Sequence, residues 1–440
     1  MTSNKEIFKV TYPLVLTLVA QNIINVTDTA FLGRVSEVAL GASAIAGVFF
    51  FAIYIIGFGF SQGVQILIGR RNGEKNYHLI GPIFNNGLIF TIFLSLLFFL
   101  AAYLGDRHIM KYLVSSEAIY KASLEYLDWR IYGFFFAFIN VHFRGFFVGI
   151  TQTRVLTVSA FITTIVNFIL AYVMIFGKFG FPKMGIAGAA LASVIAEGVT
   201  TVYLLIHTLR KEDFVVFDLY KIKKIEFEVI GQVLKLSIFT MFQYFISIST
   251  WFMFFIFIER MGERPLAATN IGRSLYILLM IPGSALATTV STVVSNLIGA
   301  GRKEEVIPFT LRMTRMVLYV VVPMMIVTFF LPGAFARIYT DDTGLIAASV
   351  PVMRVVSVAM IFCAVGNIIF NAVSGTGNTK TAFVIEFATL FFYLTYVYFT
   401  AIIHPSPVAV VWMSEFVYWT LIGGLGYLYL WKGNWRKKVI

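Results

Sequence analysis

The segments Ile68–Lys75, with the sequence IGRRNGEK, and Ile298–Glu304, with the sequence IGAGRKE, each follow a long apolar stretch of this chain. A second pair, Gly149–Arg154 (GITQTR) and Gly375–Lys380 (GTGNTK), follows two other apolar stretches. The partners of each pair lie about 226 to 230 residues apart. Glycine followed by polar and basic residues is typical of a tight turn at the end of a membrane helix. Two matches in the same order at nearly the same spacing indicate an internal repeat.

The composition places both halves of this repeat in a membrane. Of the 440 residues, 59% are hydrophobic and 13% are charged, and the mean hydropathy is +0.85. An ordinary soluble domain carries roughly 25% charged residues. Because one membrane-spanning helix needs about 20 apolar residues, the chain has room for on the order of twelve spans. The single Cys363 excludes an intramolecular disulfide and multi-cysteine zinc or iron–sulfur sites.

Apolar segments predict these twelve spans in two sets of six. They lie near residues 11–33, 40–69, 80–104, 118–149, 152–176, 185–209, 229–258, 265–299, 306–331, 344–375, 378–402 and 406–431. We therefore expect an all-α integral membrane protein with two pseudo-symmetric six-helix lobes. The N-lobe is residues 1–209, a charged cytoplasmic linker is 210–228, and the C-lobe is 229–440. Six spans return the second copy to the same side of the membrane, so the lobes are parallel repeats.

The net charge of +12 is explained by the topology of the connections. With the N-terminus inside, about 21 Lys and Arg residues fall on the inner side, Lys223 and Lys438 among them, against about 9 on the outer side. The positive-inside rule then predicts that both termini are cytoplasmic. No basic patch interleaved with aromatic residues exists outside these connections, which argues against nucleic-acid binding.

Several of these features resemble the multidrug and toxic compound extrusion (MATE) family over essentially the whole chain. They are Pro13 in the first helix, the segment Asn25–Gly33 (NVTDTAFLG), the paired glycine loops, and Gly185–Ala192 (GIAGAALA) at the start of the sixth helix. Val194–Glu197 and the surroundings of Asp28 resemble the DinF-type bacterial branch. The resemblance implies the MATE fold of the MOP superfamily, a V-shaped pair of lobes.

The same resemblance implies a secondary transporter that exports amphipathic, often cationic compounds in exchange for protons or sodium ions. We expect a multi-pass monomer in the bacterial cytoplasmic membrane, in contact with lipids and a small-molecule substrate. No cofactor is expected beyond the coupling ion, H⁺ or less favourably Na⁺, and no metal site. Alternating access of the two lobes would then expose one cavity to each side in turn.

The first predicted helix carries a polar stripe. Gln21, Asn25 and Asp28 are four and three residues apart and therefore share one helical face. Ionisable residues inside a membrane are costly and usually face a cavity or a partner. A poorly hydrated carboxyl group can hold a proton and release it when a cationic substrate arrives. The resemblance places the family's coupling aspartate on Asp28. The alternative is a structural role, in which neighbouring Asn and Thr side chains near the outer interface donate hydrogen bonds to the carboxylate.

Two further residues are candidates for cation coupling together with Asp28. Asn167 matches the family's fifth-helix asparagine, but Ala171 stands where many DinF-type members have an aspartate. This difference weakens a sodium site, which needs several oxygen ligands, and favours a proton mechanism. Glu197 in the sixth helix either supplies a second carboxylate or makes an ordinary hydrogen bond between helices. The predicted substrate-binding residues are Gln21, Asn25, Asp28, Asn167, Tyr172 and Gln243.

Other charged residues leave alternatives open. Glu386 and Glu415 are C-lobe acids without an acidic counterpart in the N-lobe, and either bind a cation or have a structural role. Arg144 is expected at an inner helix end, in contact with lipid headgroups or a loop. The seventh helix offers no clear glutamate, so we expect coupling largely in the N-lobe.

Enzyme motifs are absent from the sequence, which has neither a Walker A motif nor a His-Glu-x-x-His motif. An ATP-driven pump is therefore disfavoured. One alternative is a lipid or lipid-linked sugar flippase of the same superfamily, for which a more cationic cavity and additional helices are expected. Another is a membrane-embedded enzyme, but the five His residues are scattered along the chain.

Overall fold

The computed structural model describes residues 4–114, 116–222 and 224–437, and Lys223 and Lys438 lie outside these ranges. The described residues form helices and contain no β-strand. The first seven helices are α1 Asn4–Gly33, α2 Glu37–Gly73, α3 Ile80–Leu113, α4 Glu117–Arg130, α5 Gly133–Gly149, α6 Arg154–Phe176 and α7 Gly185–Arg210. The others are α8 Phe227–Glu259, α9 Glu263–Gly299, α10 Val306–Phe330, α11 Pro332–Ala336, α12 Thr343–Gly375, α13 Thr379–Tyr398, α14 Val408–Trp412 and α15 Ser414–Lys432.

The predicted spans are confirmed. In the described part of the chain, eleven helical segments are long and apolar enough to cross a membrane. The helices α4 and α5, bent by 55° at a short break, are long and apolar enough when taken together to count as a twelfth span. This bent pair is the segment predicted as one span over 118–149. The apolar runs therefore set the number and order of the helices, whereas the bend is a feature that their hydropathy does not reveal.

The chain divides into two compact units, an N-terminal unit that ends at Met241 and a C-terminal unit that begins at Phe242. This boundary lies inside α8 and not in the predicted linker, residues 210–228. The first half of α8 packs with the N-terminal unit, since the Ser237 hydroxyl donates a hydrogen bond to the Phe60 carbonyl oxygen at 3.0 Å.

The segment that connects α7 to α8 is fastened to the N-terminal unit by side chains of α3. The backbone N–H of Tyr220 donates to Asn85 Oδ1 at 2.7 Å, and the backbone N–H of Glu226 donates to Asn86 Oδ1 at 2.8 Å. Amide side chains thus satisfy backbone groups that lie outside regular secondary structure. The predicted linker is a docked segment of the N-terminal unit.

Hydroxyl groups of Thr153, just before α6, and of Thr157, in its first turn, hold the first half of α1. Thr153 Oγ1 donates to the Val10 carbonyl oxygen at 2.7 Å, and Thr157 Oγ1 donates to the Pro13 carbonyl oxygen at 2.8 Å. Proline inside a helix removes one backbone hydrogen bond, and in membranes neighbouring Ser and Thr side chains bind the backbone groups of such a turn. These contacts fix the position of α1, and with it the polar stripe further along the helix.

Small residues allow α2 and α5 to approach closely. A Cβ atom on Gly145 would lie 2.6 Å from the Ser61 carbonyl oxygen, and one on Gly57 would lie 2.9 Å from the Phe138 ring. Close backbone approach at small residues is the usual way in which membrane helices associate. These two close contacts involve Phe138 and Gly145 of α5, which lie before and after Arg144 in the sequence.

Candidate functional site

A cavity of about 390 Å³ lies within the N-terminal unit. Its walls come from α1, α2, α4, α5, α6 and α7. Apart from tyrosines, the ionisable side chains that line it are Asp28, Arg130, Arg144 and Glu197. Two acids and two bases therefore meet in one place, inside a unit that is otherwise largely apolar.

The polar stripe of α1 lies on the cavity wall. Gln21, Asn25 and Asp28 all line it, as their spacing of four and three residues predicts. Gln21 and Asn25 are exposed to the cavity, whereas Asp28 is half-buried. The structure thus brings together the three α1 residues that were predicted to bind substrate, and their role in binding stays a prediction.

Asp28 and Asn167 form an acceptor pair, two neighbouring side chains that each have one buried oxygen without a hydrogen-bond donor in the described part of the chain. Asn167 lies beside Asp28, and its Nδ2 donates to Ser193 Oγ at 3.1 Å. The Oδ1 atoms of Asp28 and of Asn167 are both buried and have no hydrogen-bond partner among the residues that the structure describes. Most buried polar atoms in proteins have such a partner. A proton on Asp28, or a cationic group of a ligand, would supply the missing donor.

Arg130, at the end of α4, makes a two-pronged ion pair with Glu197 of α7. Arg130 Nη1 lies 2.9 Å from Glu197 Oε2, and Nη2 lies 2.7 Å from Oε1. The guanidinium also lies 3.6 Å from the centre of the Phe50 ring. Gly133 makes room for the pair, because a Cβ atom there would lie 2.2 Å from Nη1. The bend between α4 and α5 thus places a buried arginine in the cavity.

The main chain of Glu197 is also held in place. Its carbonyl oxygen accepts hydrogen bonds from Asn140 Nδ2 and from Thr201 Oγ1, both at 3.0 Å. Thr201 Oγ1 lies 2.9 Å from Asn140 Oδ1 as well. Both carboxylate oxygens of Glu197 face Arg130, so this residue lies in the predicted site but is bound to a cation within the protein. Its predicted coupling role stays untested.

The sequence alone did not single out Arg130. The structure places it within electrostatic reach of Asp28 as well as in contact with Glu197. It is the thirteenth residue of the predicted span 118–149, and a charged residue inside a membrane span is a functional candidate by default. That signal could have found the arginine. Its partner depends on the packing of α4 against α7, which no local pattern reveals.

The expectation for Arg144 is corrected. Its side chain lines the cavity, and its guanidinium lies 4.7 Å from the centre of the Phe58 ring. The helix α5 continues to Gly149, so Arg144 stands more than one turn before the helix end. The structure therefore places this side chain on the cavity wall and not at the helix end expected from the sequence.

Two of the predicted substrate-binding residues do not line this cavity. The side chain of Tyr172 is 41% exposed, and its ring packs against Phe31 and Phe176. It follows Asn167 by five residues, which turns it about 140° away around a helix of 3.6 residues per turn. Gln243 belongs to the C-terminal unit, where it is buried and its carbonyl oxygen accepts a hydrogen bond from Ser247 at 2.8 Å.

Glu386 of the C-terminal unit is buried and bound to hydroxyl groups. Only 3% of the residue is exposed. The Ser247 hydroxyl and the Tyr418 hydroxyl each donate to Glu386 Oε1 at 2.6 Å. In the described ranges, no basic side chain lies within ion-pair distance of this carboxyl group. Neutral donors alone therefore hold it.

Glu415 has a similar environment in the same unit, and it is also 3% exposed. Tyr276 OH and Trp419 Nε1 both donate to Oε2 at 3.0 Å, and Tyr393 OH lies 3.5 Å from Oε1. These donors come from α9, α13 and α15. The carboxyl group is thus a central acceptor for three aromatic side chains.

A family model described as MatE matches residues 13–173 and 240–399 of this chain. The second block begins 227 residues after the first, which is the repeat distance that the paired loops give. The chain is similar to the "Probable multidrug resistance protein NorM" of Thermotoga maritima, with 26% identity over 387 residues. The aligned region covers 88% of this chain and 83% of that relative.

Two solved structures show the same fold. The first is a point mutant of the MATE transporter VcmN of Vibrio cholerae, with a TM-score of 0.91 and 16% identity, covering 99% of this chain and 98% of that one. The second is a MOP superfamily transporter from Pyrococcus furiosus, with a TM-score of 0.90 and 16% identity, covering 99% and 97%. The helices therefore have the arrangement seen in these transporters.

Proposed function

Because the chain belongs to the MatE family, whose members are membrane transporters and not enzymes, we propose that it is a proton-coupled multidrug efflux antiporter. It exports amphipathic, cationic compounds by alternating access, with Asp28 as the coupling carboxyl group. The name of the Thermotoga maritima relative, a probable multidrug resistance protein, supports the choice of substrate class. The cavity of the N-terminal unit supports the choice of coupling residue.

The observation that carries this proposal is the acceptor pair of Asp28 and Asn167. A proton on Asp28 supplies one donor to this pair, and so does an ammonium group of a bound substrate. Both therefore compete for the same oxygen atoms. Competition of this kind is what an antiporter requires, since a cavity that binds either ligand, but not both, exchanges one for the other across the membrane.

The residues beside this pair favour a proton over a sodium ion. Sodium ions are bound by several oxygen atoms at once, and Ala171, one turn after Asn167 in α6, contributes none. The nearby Ser193 hydroxyl accepts the Asn167 amide at 3.1 Å. A proton needs only one acceptor oxygen, which Asp28 provides.

The aromatic side of the cavity suits flat cations. Phe51 and Tyr54 line it, and their ring centres lie 6.0 Å apart. A cation over an aromatic ring is attracted by its π electrons, by about 0.5 to 2 kcal/mol. These side chains offer a flat organic cation a stacking surface near the carboxyl group of Asp28.

The membrane topology completes the proposal. The excess of Lys and Arg on the inner connections supports cytoplasmic termini in the cytoplasmic membrane of a bacterium. We propose a monomer, because each unit holds its own compact helix packing. Assignment to the DinF-type branch stays a prediction from the resemblance.

A lipid or lipid-linked sugar flippase is the second candidate. Arg130 and Arg144 give the cavity two positive charges, as such a transporter would need for an anionic headgroup. Asp28 and Glu197 offset both of these charges in the same cavity. Since the cavity is not cationic overall, export of cationic compounds is the function that it supports better.

Transport of a cationic dye into vesicles tests the proposal. Wild-type protein, Asp28→Asn and Glu37→Gln are reconstituted, and ethidium uptake is driven by a pH gradient or by a sodium gradient. Glu37 is an exposed acid at the start of α2 and serves as the control for loss of one carboxylate. We expect uptake under the pH gradient for wild type and Glu37→Gln, and none for Asp28→Asn. Unchanged uptake by Asp28→Asn refutes the coupling role, and uptake under sodium alone refutes proton coupling.

A further inference from the structure

Arg130 lies between the two acids of the cavity. It binds Glu197 through both guanidinium nitrogens at 2.7 and 2.9 Å, and it is within electrostatic reach of Asp28. The guanidinium of arginine stays protonated in proteins. With both carboxyl groups ionised, these three side chains carry one net negative charge. Without Arg130, they would carry two.

The position of this positive charge is fixed by packing. The Arg130 side chain is only 10% exposed, and its guanidinium is stacked on the Phe50 ring. The absence of a side chain at Gly133 leaves the space that the ion pair fills. Planar stacking and two parallel hydrogen bonds are features that arginine provides and lysine does not. Arg130 is therefore a built-in countercharge.

We propose that Arg130 is a specificity-determining residue that limits the cavity to substrates with a single positive charge. The inference rests on the proposed function, in which Asp28 receives the cationic group of the substrate. Glu197 is paired with Arg130, so Asp28 is the acid of the cavity that is left to receive the cationic group of a ligand. A second cationic group would meet Arg130 in place of a second acid.

The other walls of the cavity agree with this limit. Arg144, on α5, adds another positive charge that repels a second cationic group. Tyr54 of α2, Tyr126 of α4 and Asn167 of α6 are neutral side chains that line the cavity. No wall of the described cavity adds an acid beyond Asp28 and Glu197. With both acids ionised, the four charged side chains of the cavity carry no net charge, and without Arg130 they would carry one net negative charge.

Two dyes with the same ring system test this inference. Ethidium carries one positive charge and propidium carries two, and both bear a phenanthridinium ring. Dissociation constants are measured by fluorescence on purified protein in detergent micelles, without any ion gradient and over a range of pH. The proteins are wild type, Arg130→Met, Glu197→Gln, the double variant Arg130→Met with Glu197→Gln, and Arg34→Gln as a control at an exposed arginine.

Replacing Arg130 and replacing Glu197 should shift the preference between the two dyes in opposite directions. Wild type and Arg34→Gln prefer ethidium. Arg130→Met shifts the ratio of the two dissociation constants toward propidium by about tenfold or more, since an added unit charge is a large electrostatic change. Glu197→Gln leaves the positive charge of Arg130 without its partner. It therefore weakens the binding of both dyes and shifts the ratio of the dissociation constants further toward ethidium. The double variant restores the net charge of the wild-type cavity and returns the ratio of the two dissociation constants to that of wild type.

The variants also separate failure of folding from failure of the inference. If Arg130→Met does not fold, Glu197→Gln and the double variant carry the test. A dye ratio that is the same in all folded variants refutes the role of Arg130 in specificity. Equal binding of ethidium by wild type and Asp28→Asn instead refutes the proposed function.

Discussion

The two units of this protein hold acids in opposite environments. Asp28 and Glu197 of the N-terminal unit line a cavity and face a fixed arginine, and one oxygen of Asp28 has no donor among the described residues. Glu386 and Glu415 of the C-terminal unit are 3% exposed, and neutral hydroxyl and indole groups bind them. Similar acids in similar helices thus have different surroundings, and the surroundings indicate which acid can exchange a ligand.

An exchangeable acid needs an incomplete set of partners. The Asp28 environment lacks a donor that a proton or a substrate can supply. The Glu386 and Glu415 environments already supply two or three donors each, so that a ligand would first have to displace them. We infer that Asp28 serves transport and that Glu386 and Glu415 hold helices together. Four changes test this contrast, in order of decreasing expected effect.

Replacement of Arg130 should have the largest effect on stability. Arg130→Met leaves the half-buried Glu197 carboxylate without its partner, and breaking one side of a largely buried ion pair costs up to about 3 kcal/mol. Thermal unfolding in detergent measures the loss. The double variant Arg130→Met with Glu197→Gln should recover most of it, and an equally unstable double variant would mean that packing of Arg130, and not its charge, provides the stability.

Replacement of the central acceptor in the C-terminal unit should have the next largest effect. Glu415→Leu leaves Tyr276 OH without its acceptor and Trp419 Nε1 with only Tyr276 OH, at 3.3 Å, at a cost of about 2 kcal/mol. Glu415→Gln keeps an acceptor oxygen and should lose about 1 kcal/mol or less. Thermal unfolding compares the two variants. A stable Glu415→Gln protein that no longer transports ethidium would break the contrast between the units.

Loss of the amide beside Asp28 should affect transport more than stability. Asn167→Ala removes an acceptor of the donor-deficient pair and one hydrogen bond to Ser193 at 3.1 Å. We expect ethidium transport to fall several-fold, with about 1 kcal/mol of lost stability. Initial uptake rates in vesicles and thermal unfolding measure both quantities. Full transport activity in this variant would exclude Asn167 from the coupling site.

Neutralisation of Glu386 should have the smallest effect. Glu386→Gln keeps an oxygen that accepts hydrogen bonds from Ser247 and Tyr418. Because this acceptor is kept, dye uptake under a pH gradient should stay within about twofold of wild type. A twofold change in rate corresponds to less than about 0.5 kcal/mol in the activation free energy. A loss of pH-driven uptake similar to that of Asp28→Asn would place a second coupling acid in the C-terminal unit.

The sequence predicted the twelve spans well because long apolar runs fix where a membrane helix begins and ends. It predicted the polar stripe of Gln21, Asn25 and Asp28 because helical periodicity alone decides which residues share a face. The same periodicity separates Tyr172 from Asn167. Helical periodicity therefore sufficed to predict the α1 side of the cavity. Applied to α6, the same periodicity would have placed Tyr172 outside the cavity.

The positions of Arg130 and Arg144 in the cavity could not be predicted from local sequence patterns. Whether Arg130 faces lipid, a loop or Glu197 depends on the 55° bend between α4 and α5 and on the packing of α7. Arg144 faces the cavity because α5 continues beyond it. The division of the chain inside α8 likewise follows from contacts such as Ser237 with Phe60, which lie 177 residues apart in sequence.

The hydroxyl contacts between α6 and α1 have a consequence for biosynthesis. Thr157 reaches the Pro13 carbonyl oxygen across 144 residues of sequence, and Asn167 reaches Asp28 across a similar distance. At roughly 5 to 20 residues per second, the ribosome needs on the order of 10 s to make the intervening chain. During this time Asp28 lacks its contact with Asn167, although α2 and the Arg130 end of α4 are already made. Until α6 arrives, we expect water or the insertion machinery to occupy the α6 side of the polar stripe.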